Sequence, residues 1–226
     1  MNVAIVGYGK MGLMIESLAP QYGVTVSHRL DIGWVGPDLA PLPDAAIEFS
    51  TPEAAVDNLE RLAALRIPVV CGTTGWFARL DHVRSVFDQQ QTPLVYSANF
   101  SIGVNVFQRL AAEAAALLKD ETAYEAWAWE IHHSAKKDAP SGTLLQLTSA
   151  MRAAGYTRRI DESSNRAGAH PGTHEIGFDS AADTITLRHA ARSREGFARG
   201  ALKAATWIKG KRGVHAFADV LFGNAQ

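Results

Sequence analysis

Residues 2–12 read NVAIVGYGKMG. The segment 2–6 is short, apolar and partly β-branched, the composition of a strand buried on both faces. Gly7, Gly9 and Gly12 then form G-x-G-x-x-G between that strand and a helical stretch from about Lys10 to Tyr22. Each glycine has a reason: the first makes a tight turn, the second lets the backbone approach a pyrophosphate, and the third lets helix pack on strand. The pyrophosphate would sit on free N–H groups at the helix N-terminus. A glycine-rich turn without a ligand uses the same residues; the position after a clean strand favours the dinucleotide. About 20 residues further on, where a ribose-binding carboxylate belongs, Asp31 closes the second strand region. Arg29, two residues earlier, is either a partner for a 2′-phosphate or a surface charge.

Outward from that stretch the strand–helix alternation continues. Residues 24–28, 44–49, 67–71 and 93–97 read as strands, and Trp76, Leu80, Val83 and Phe87 recur at helical spacing. Such alternation argues for parallel βαβ units. Two small-residue loops, CGTTG (71–75) and SANFS (97–101), follow strand ends, and open parallel sheets bind ligands outside the carboxyl ends of their strands. After about residue 100 the pattern changes. A helix is expected from Ile102 to Leu118, large residues nearly alternate at Tyr124, Trp127 and Trp129, and a second helix starts near Ser141. DTITLRHA (183–190) sets Ile185, Leu187 and His189 on one strand face, and Glu195 to Ile208 is helical. The polar, Gly-rich stretch 155–175 reads as a loop. These patterns predict an α/β chain: a Rossmann-like dinucleotide-binding domain over 1–99 and 204–226, and a second α+β domain over 100–203, built on an open mixed sheet.

Composition bounds the function. With 226 residues, 47% hydrophobic and 20% charged, the chain is globular rather than disordered. A net charge of −1 gives no overall field toward nucleic acid or an anionic membrane, so neither is expected as a partner. Cys71 is the single cysteine, which rules out an intrachain disulfide and fits a reducing compartment. No secretory signal is visible, and no apolar run approaches the roughly 18 residues of a membrane span. A cytoplasmic location is expected.

The chemistry concentrates in EIHHSAKKDAPSGT (130–143). Histidine titrates near neutrality and suits proton transfer; lysine adds a positive charge or a second proton. Ser141 is a helix N-cap candidate, which would leave the N–H groups of Gly142 and Thr143 for an anion such as a carboxylate. A solvated basic loop is the bland alternative. Metal binding is not expected: no cysteine lies nearby, and adjacent histidines do not easily face one ion.

HHSAKKDAPSGT resembles the signature of the 4-hydroxy-tetrahydrodipicolinate reductases, also called dihydrodipicolinate reductases. VGYGKMG (6–12), IEFSTPEA (47–54), CGTTG, SANFSIGVNV (97–106), RAGAHPGTHEIGF (166–178) and RHAARSREGFARGAL (188–202) follow in the family's order, so the resemblance covers essentially the whole chain. It implies reduction of 4-hydroxy-tetrahydrodipicolinate to tetrahydrodipicolinate by NADH or NADPH, on the route to diaminopimelate and lysine. It also implies a small cyclic dicarboxylate substrate and a homotetramer. In this resemblance Gly7, Gly9, Lys10, Met11 and Gly12 meet the pyrophosphate and Asp31 the adenosine ribose. Gly72, Thr73 and Thr74, with Ser97, Ala98, Asn99 and Phe100, line the nicotinamide half. His132 matches the proton donor and Lys136 a second donor. His133, Gly142 and Thr143 hold the substrate carboxylates, and Arg166 lies near the substrate. Two departures stand out: the stretch 30–44 is trimmed, and Thr173 replaces an acidic residue that usually precedes the family's histidine. Another Rossmann oxidoreductase would leave HHSAKKDAPSGT unexplained. A non-catalytic dinucleotide sensor would have lost His132, Lys136, Gly142 and Thr143, which are all present.

Overall fold

The structure, a computed structural model, describes residues 1–31, 33–34 and 39–223. The chain forms two compact units: Met1–Ile102 joined by the return from Glu195 onward, and Gly103–Arg194.

In the first unit six strands form a parallel sheet: β1 (Asn2–Val6), β2 (Thr25–Leu30), β3 (Ala45–Glu48), β4 (Val69–Cys71), β5 (Leu94–Tyr96) and, after the return, β10 (Val214–Ala216). Their order is β10-β5-β4-β3-β1-β2, and every pair is parallel. From β1 the chain goes first to one side, to β2, and then to the other, to β3. That reversal is the topological switch point at which open α/β sheets bind ligands. The central strands β1, β3, β4 and β5 are largely apolar and buried because helices cover both faces, whereas the edge strand β2 (TVSHRL) alternates exposed and half-buried residues. On one face α1 (Lys10–Leu18) and α6 (Glu195–Trp207) pack into a core with Val3, Ile5, Ile47 and Val95. On the other, α2 (Pro52–Ala64) and α3 (Leu80–Gln89) bury Leu59, Leu62, Val83 and Phe87. Pro52 sits in the first turn of α2, where its missing N–H costs nothing. The return falls at Glu195 rather than near 204, because Ala198, Ala201, Leu202, Ala204 and Ala205 of α6 all belong to the first unit's core. Of the trimmed stretch 30–44, Ile32 and residues 35–38 lie outside the described residues; the described ones contain no helix between β2 and β3.

The second unit holds α4 (Ile102–Leu118), β6 (Glu125–His132), α5 (Gly142–Ala153), β7 (Ile160–Arg166), β8 (Thr173–Asp179) and β9 (Thr184–Ala190). The sheet order is β7-β6-β8-β9, with β7 parallel to β6 and the remaining pairs antiparallel. One face packs on α4 and α5 through Ala126, Ala128, Phe107, Leu144, Leu147 and Phe178. The expected loop over 155–175 is wrong in its centre: β7 lies inside it, and β8 begins at its end. IDESSNR buries only Ile160, since an edge strand can satisfy its backbone against β6 without an apolar face. No helix among the described residues is long and apolar enough to cross a membrane. A short final helix, α7 (Phe217–Phe222), closes the first unit's core through Phe217.

Candidate active site

In the first unit the glycine loop connects β1 to α1. Gly7 has φ +89°, and a Cβ there would overlap the Phe49 carbonyl, so only glycine holds this turn. A Cβ on Gly12 would lie 2.7 Å from the Gly7 carbonyl, which is the close helix–strand approach expected of the third glycine. Gly9 faces open space and is the N-cap of α1 without a side-chain cap. Lys10, exposed, opens the helix, and no acidic residue occupies its first turn. Free amides, a lysine and open space together fit a bound diphosphate. Half-buried Met11 packs against the sheet core.

Beside the loop a cavity of about 500 Å³ is lined by Gly7, Gly9, Asp31, Trp34, Ser50 and Arg61, among others. Asp31 therefore faces the space where a ribose would lie. Arg29 does not line this cavity: its guanidinium pairs with Glu16, which also accepts from the Tyr8 hydroxyl. The cation at the cavity is Arg61, near the end of α2, anchored to the Trp34 carbonyl at 2.9 Å. Sequence reasoning missed it because it lies thirty positions from Asp31, beyond the IEFSTPEA stretch that opens the helix.

The two small-residue loops have mixed roles. A Cβ on Gly72 would overlap the Phe49 ring. Thr73 is buried and accepts a hydrogen bond from the Ser50 N–H at 2.7 Å, tying the loop after β4 to the loop after β3. Thr74 and Ala98 are exposed, and Ser97 and Asn99 are half-buried. The Ser97 hydroxyl accepts from Asn99 N–H at 3.0 Å, shaping the turn. The Phe100 ring is a core side chain, tilted against Phe49 and Phe217, so any contact it offers a ligand is through its backbone.

In the second unit the centre is a residue the sequence reading passed over. Glu130 has no exposed side-chain surface. Its Oε1 accepts from Ser141 N–H at 2.8 Å, the Ser164 hydroxyl at 2.8 Å and Arg166 Nη2 at 2.9 Å. Its Oε2 lies 3.2 Å from His132 Nδ1 and 3.3 Å from His174 Nε2. Burial pushes this carboxyl's pKa up, but the hydrogen bonds from Ser141, Arg166 and Ser164 outweigh it and hold it at about 2. Strand register explains the gathering. Glu130 and His132 are two apart on β6 and so share a face; Ser164 on β7 and His174 on β8 both pair with Glu130, and Arg166 pairs with His132. The signal was available as an acidic residue two positions before the histidine pair, at strand spacing.

His132 is mostly buried, and a Cβ on Gly172 would stand 2.9 Å from its Nε2, so the glycine leaves that nitrogen uncovered. Burial lowers the His132 pKa, Glu130 opposes the shift, and Lys136, Arg166 and His133 add to it. His174 is more deeply set; burial chiefly, with His132, brings it to about 4, so it is neutral at pH 7. Lys136 pairs with exposed Asp138 at 2.8 Å, and Arg166 also donates to the Asp138 carbonyl. His133 is half-buried. Ser141 caps α5 as expected, accepting from Leu144 N–H at 3.2 Å. Gly142, exposed with open space at its Cβ position, and half-buried Thr143 supply the helix's first amides, which have no intrahelical acceptor. Glu130, His132 and His174 bring ligand-type atoms within 4.8 Å of one another. Arg166 sets a positive charge on the other oxygen of the same carboxylate.

The description "Dihydrodipicolinate reductase, N-terminus" matches residues 37–100, and "Dihydrodipicolinate reductase, C-terminus" matches 103–221. The chain belongs to the dihydrodipicolinate reductase family. It is 36% identical to the 4-hydroxy-tetrahydrodipicolinate reductase of Christiangramia forsetii, with 98% of each chain covered. It is 34% identical to that of Archaeoglobus fulgidus over 92% of this chain and 94% of the relative. A dipicolinate-bound dihydrodipicolinate reductase from Paenisporosarcina sp. TG-14 shares the fold, with a TM-score of 0.81 at 19% identity and 96% and 97% coverage. As a family member the chain is an NAD(P)H-dependent oxidoreductase that reduces 4-hydroxy-tetrahydrodipicolinate to tetrahydrodipicolinate in diaminopimelate and lysine biosynthesis.

Proposed function

We propose that the second unit, Gly103–Arg194, binds the cyclic dicarboxylate and that His132 gives the proton which completes its reduction. The observation that carries this reading is the buried Glu130 carboxylate, with His132 and Arg166 gathered on it beside the Gly142 and Thr143 amides that open α5. Nicotinamide, when bound, supplies the hydride. Overall, one hydride and one proton are consumed and one water leaves. His132 quenches the electron density added to the ring, and the same group can protonate the departing hydroxyl. The Gly142 and Thr143 amides at the positive end of α5 take one carboxylate. His133 and Arg166 take the other, with Arg166 already oriented by Glu130 and the Asp138 carbonyl. Lys136 must exchange Asp138 for substrate, which suits a group that both pairs with a carboxylate and donates a proton.

The first unit is the dinucleotide domain in this reading, with the loop residues Gly7 to Gly12 at the diphosphate and Gly72 to Thr74 and Ser97 to Phe100 toward the nicotinamide. Asp31 favours NADH through the ribose hydroxyls, and Arg61 tolerates a 2′-phosphate, so both cofactors serve with a modest NADH preference. The active form is a cytoplasmic homotetramer assembled through the second unit's sheet. Half-buried Trp127, Trp129 and Ile131 line its outer face, and an open sheet must cover such a face and its edges. Light scattering at the monomer mass of 24.4 kDa with full activity would contradict the assembly. The reading as a whole is tested by oxidation of NADH and NADPH with freshly generated cyclic substrate. Substrate-dependent oxidation of both is expected; none with either would overturn it.

A further inference from the structure

We propose that Glu130 is the positioning residue of this site: one buried carboxylate that fixes the tautomer and charge of His132 through one oxygen and the direction of Arg166 through the other. The inference rests on His132 being the proton donor.

The geometry divides the carboxylate's work between its two oxygens. Oε1 is saturated by the Ser141 amide, the Ser164 hydroxyl and Arg166. Oε2 takes no aligned hydrogen bond and lies 3.2 and 3.3 Å from the two imidazoles; His132 Nδ1 is likewise buried without an aligned partner. A small rotation of the His132 ring closes that gap. A carboxylate facing Nδ1 places the neutral ring's proton there and stabilises the imidazolium. That leaves Nε2, the nitrogen over Gly172, as the atom that gives its proton to the substrate and takes another from solvent. His174 shares Oε2 and also contacts the Ser141 hydroxyl at 3.2 Å; burial keeps it neutral, and it braces the carboxylate.

The charges around His132 make the dependence sharp. Lys136 and His133 from the following loop, Arg166 from β7 and burial itself all disfavour its protonation. His174 from β8 is neutral, His189 from β9 acts on His174, and Asp138 is occupied by Lys136. Glu130 is the anion that opposes them. Because its Oε1 also receives the amide at the start of α5, the same residue sets the acid, the carboxylate-binding arginine and the anion-binding helix end in register.

The test is Glu130→Gln, with NADH affinity and thermal unfolding checked on the same preparations. A general acid must be protonated, so kcat/KM falls above its pKa. Loss of the carboxylate charge should move that high-pH limb down by about one unit or more, the scale of a facing charge, with lower kcat and higher KM for the cyclic substrate. Glu130→Asp, which keeps the charge, should restore the limb toward the wild-type position. A limb unmoved in Glu130→Gln overturns the inference while a loss of kcat in His132→Gln leaves the donor reading standing. Full kcat in His132→Gln overturns both. Should Glu130→Gln fail to fold, imidazole ¹⁵N resonances of the wild-type enzyme decide: a neutral His132 with its proton on Nδ1 is expected, and one with it on Nε2 overturns the inference.

Discussion

The two units prepare for ligands by opposite means. In the first, the site is made by leaving atoms out: Gly7 and Gly12 are glycines because a Cβ would strike backbone, and Gly9 opens onto space. In the second, the site is made by crowding charge inward: Glu130, His132, Arg166 and His174 converge on one buried point. A site of the first kind is written in consecutive residues and fails through sterics. A site of the second kind is assembled from separate strands and fails through electrostatics, so it responds to pH and to charge-neutral substitutions that leave its shape intact.

That contrast can be broken from either side. The largest effect after loss of the proton donor is expected from Arg166→Ala. It removes a carboxylate-binding guanidinium and leaves Glu130 with less compensation, and hydrogen bonds to charged groups are worth about 1.5–3 kcal/mol. KM for the cyclic substrate should rise by about 10–10²-fold, with NADH affinity unchanged; a parallel loss of NADH affinity would mean the two sites are not separable. Next is Gly12→Val. Overpacking against the Gly7 carbonyl and Ile5 costs about 1–3 kcal/mol. NADH binding, measured by fluorescence, should weaken by roughly 10-fold or more, while the fold of the second unit persists.

Stability should depend on pH through the second unit. His174 has a folded pKa of about 4 against an unfolded value of about 6.5. Below about 6.5 the unfolded chain binds the proton that the folded chain refuses, so stability present above 6.5 is lost as pH falls toward 4. The loss should reach about 3 kcal/mol, and His174→Gln should flatten it. Denaturant unfolding at pH 7.5 and 4.5 checks this; equal slopes in both proteins would remove His174 as the cause. The smallest effect concerns Asp31→Ala, which should weaken NADH by a few-fold more than NADPH. Equal losses would place Asp31 away from the ribose.

How much of this was legible in the sequence follows the same division. The glycine loop, the parallel alternation and the α5 cap were readable because each is a local pattern: strand then turn, period then break. Arg61 was not, because its proximity to Asp31 exists only once α2 packs beside the β1–β3 switch point. β7 was hidden by its polarity, since an edge strand needs hydrogen bonds more than an apolar face. Glu130 was in plain view inside EIHHSAKKDAPSGT, yet its importance lies in partners thirty and more residues away, Ser164, Arg166 and His174, delivered by strand register. The packing of the Phe100 ring into the core was likewise not readable from its ligand-type loop.

The central claim, that His132 is the proton donor, is tested most directly by the kcat of His132→Gln and His133→Gln, measured with NADH and freshly generated cyclic substrate between pH 6 and 8. His132→Gln should lose roughly 10²–10⁴-fold in kcat, the range for a missing general acid, with KM little changed, whereas His133→Gln should act mainly on KM. Near-full kcat in His132→Gln with a large loss in His133→Gln would contradict the account.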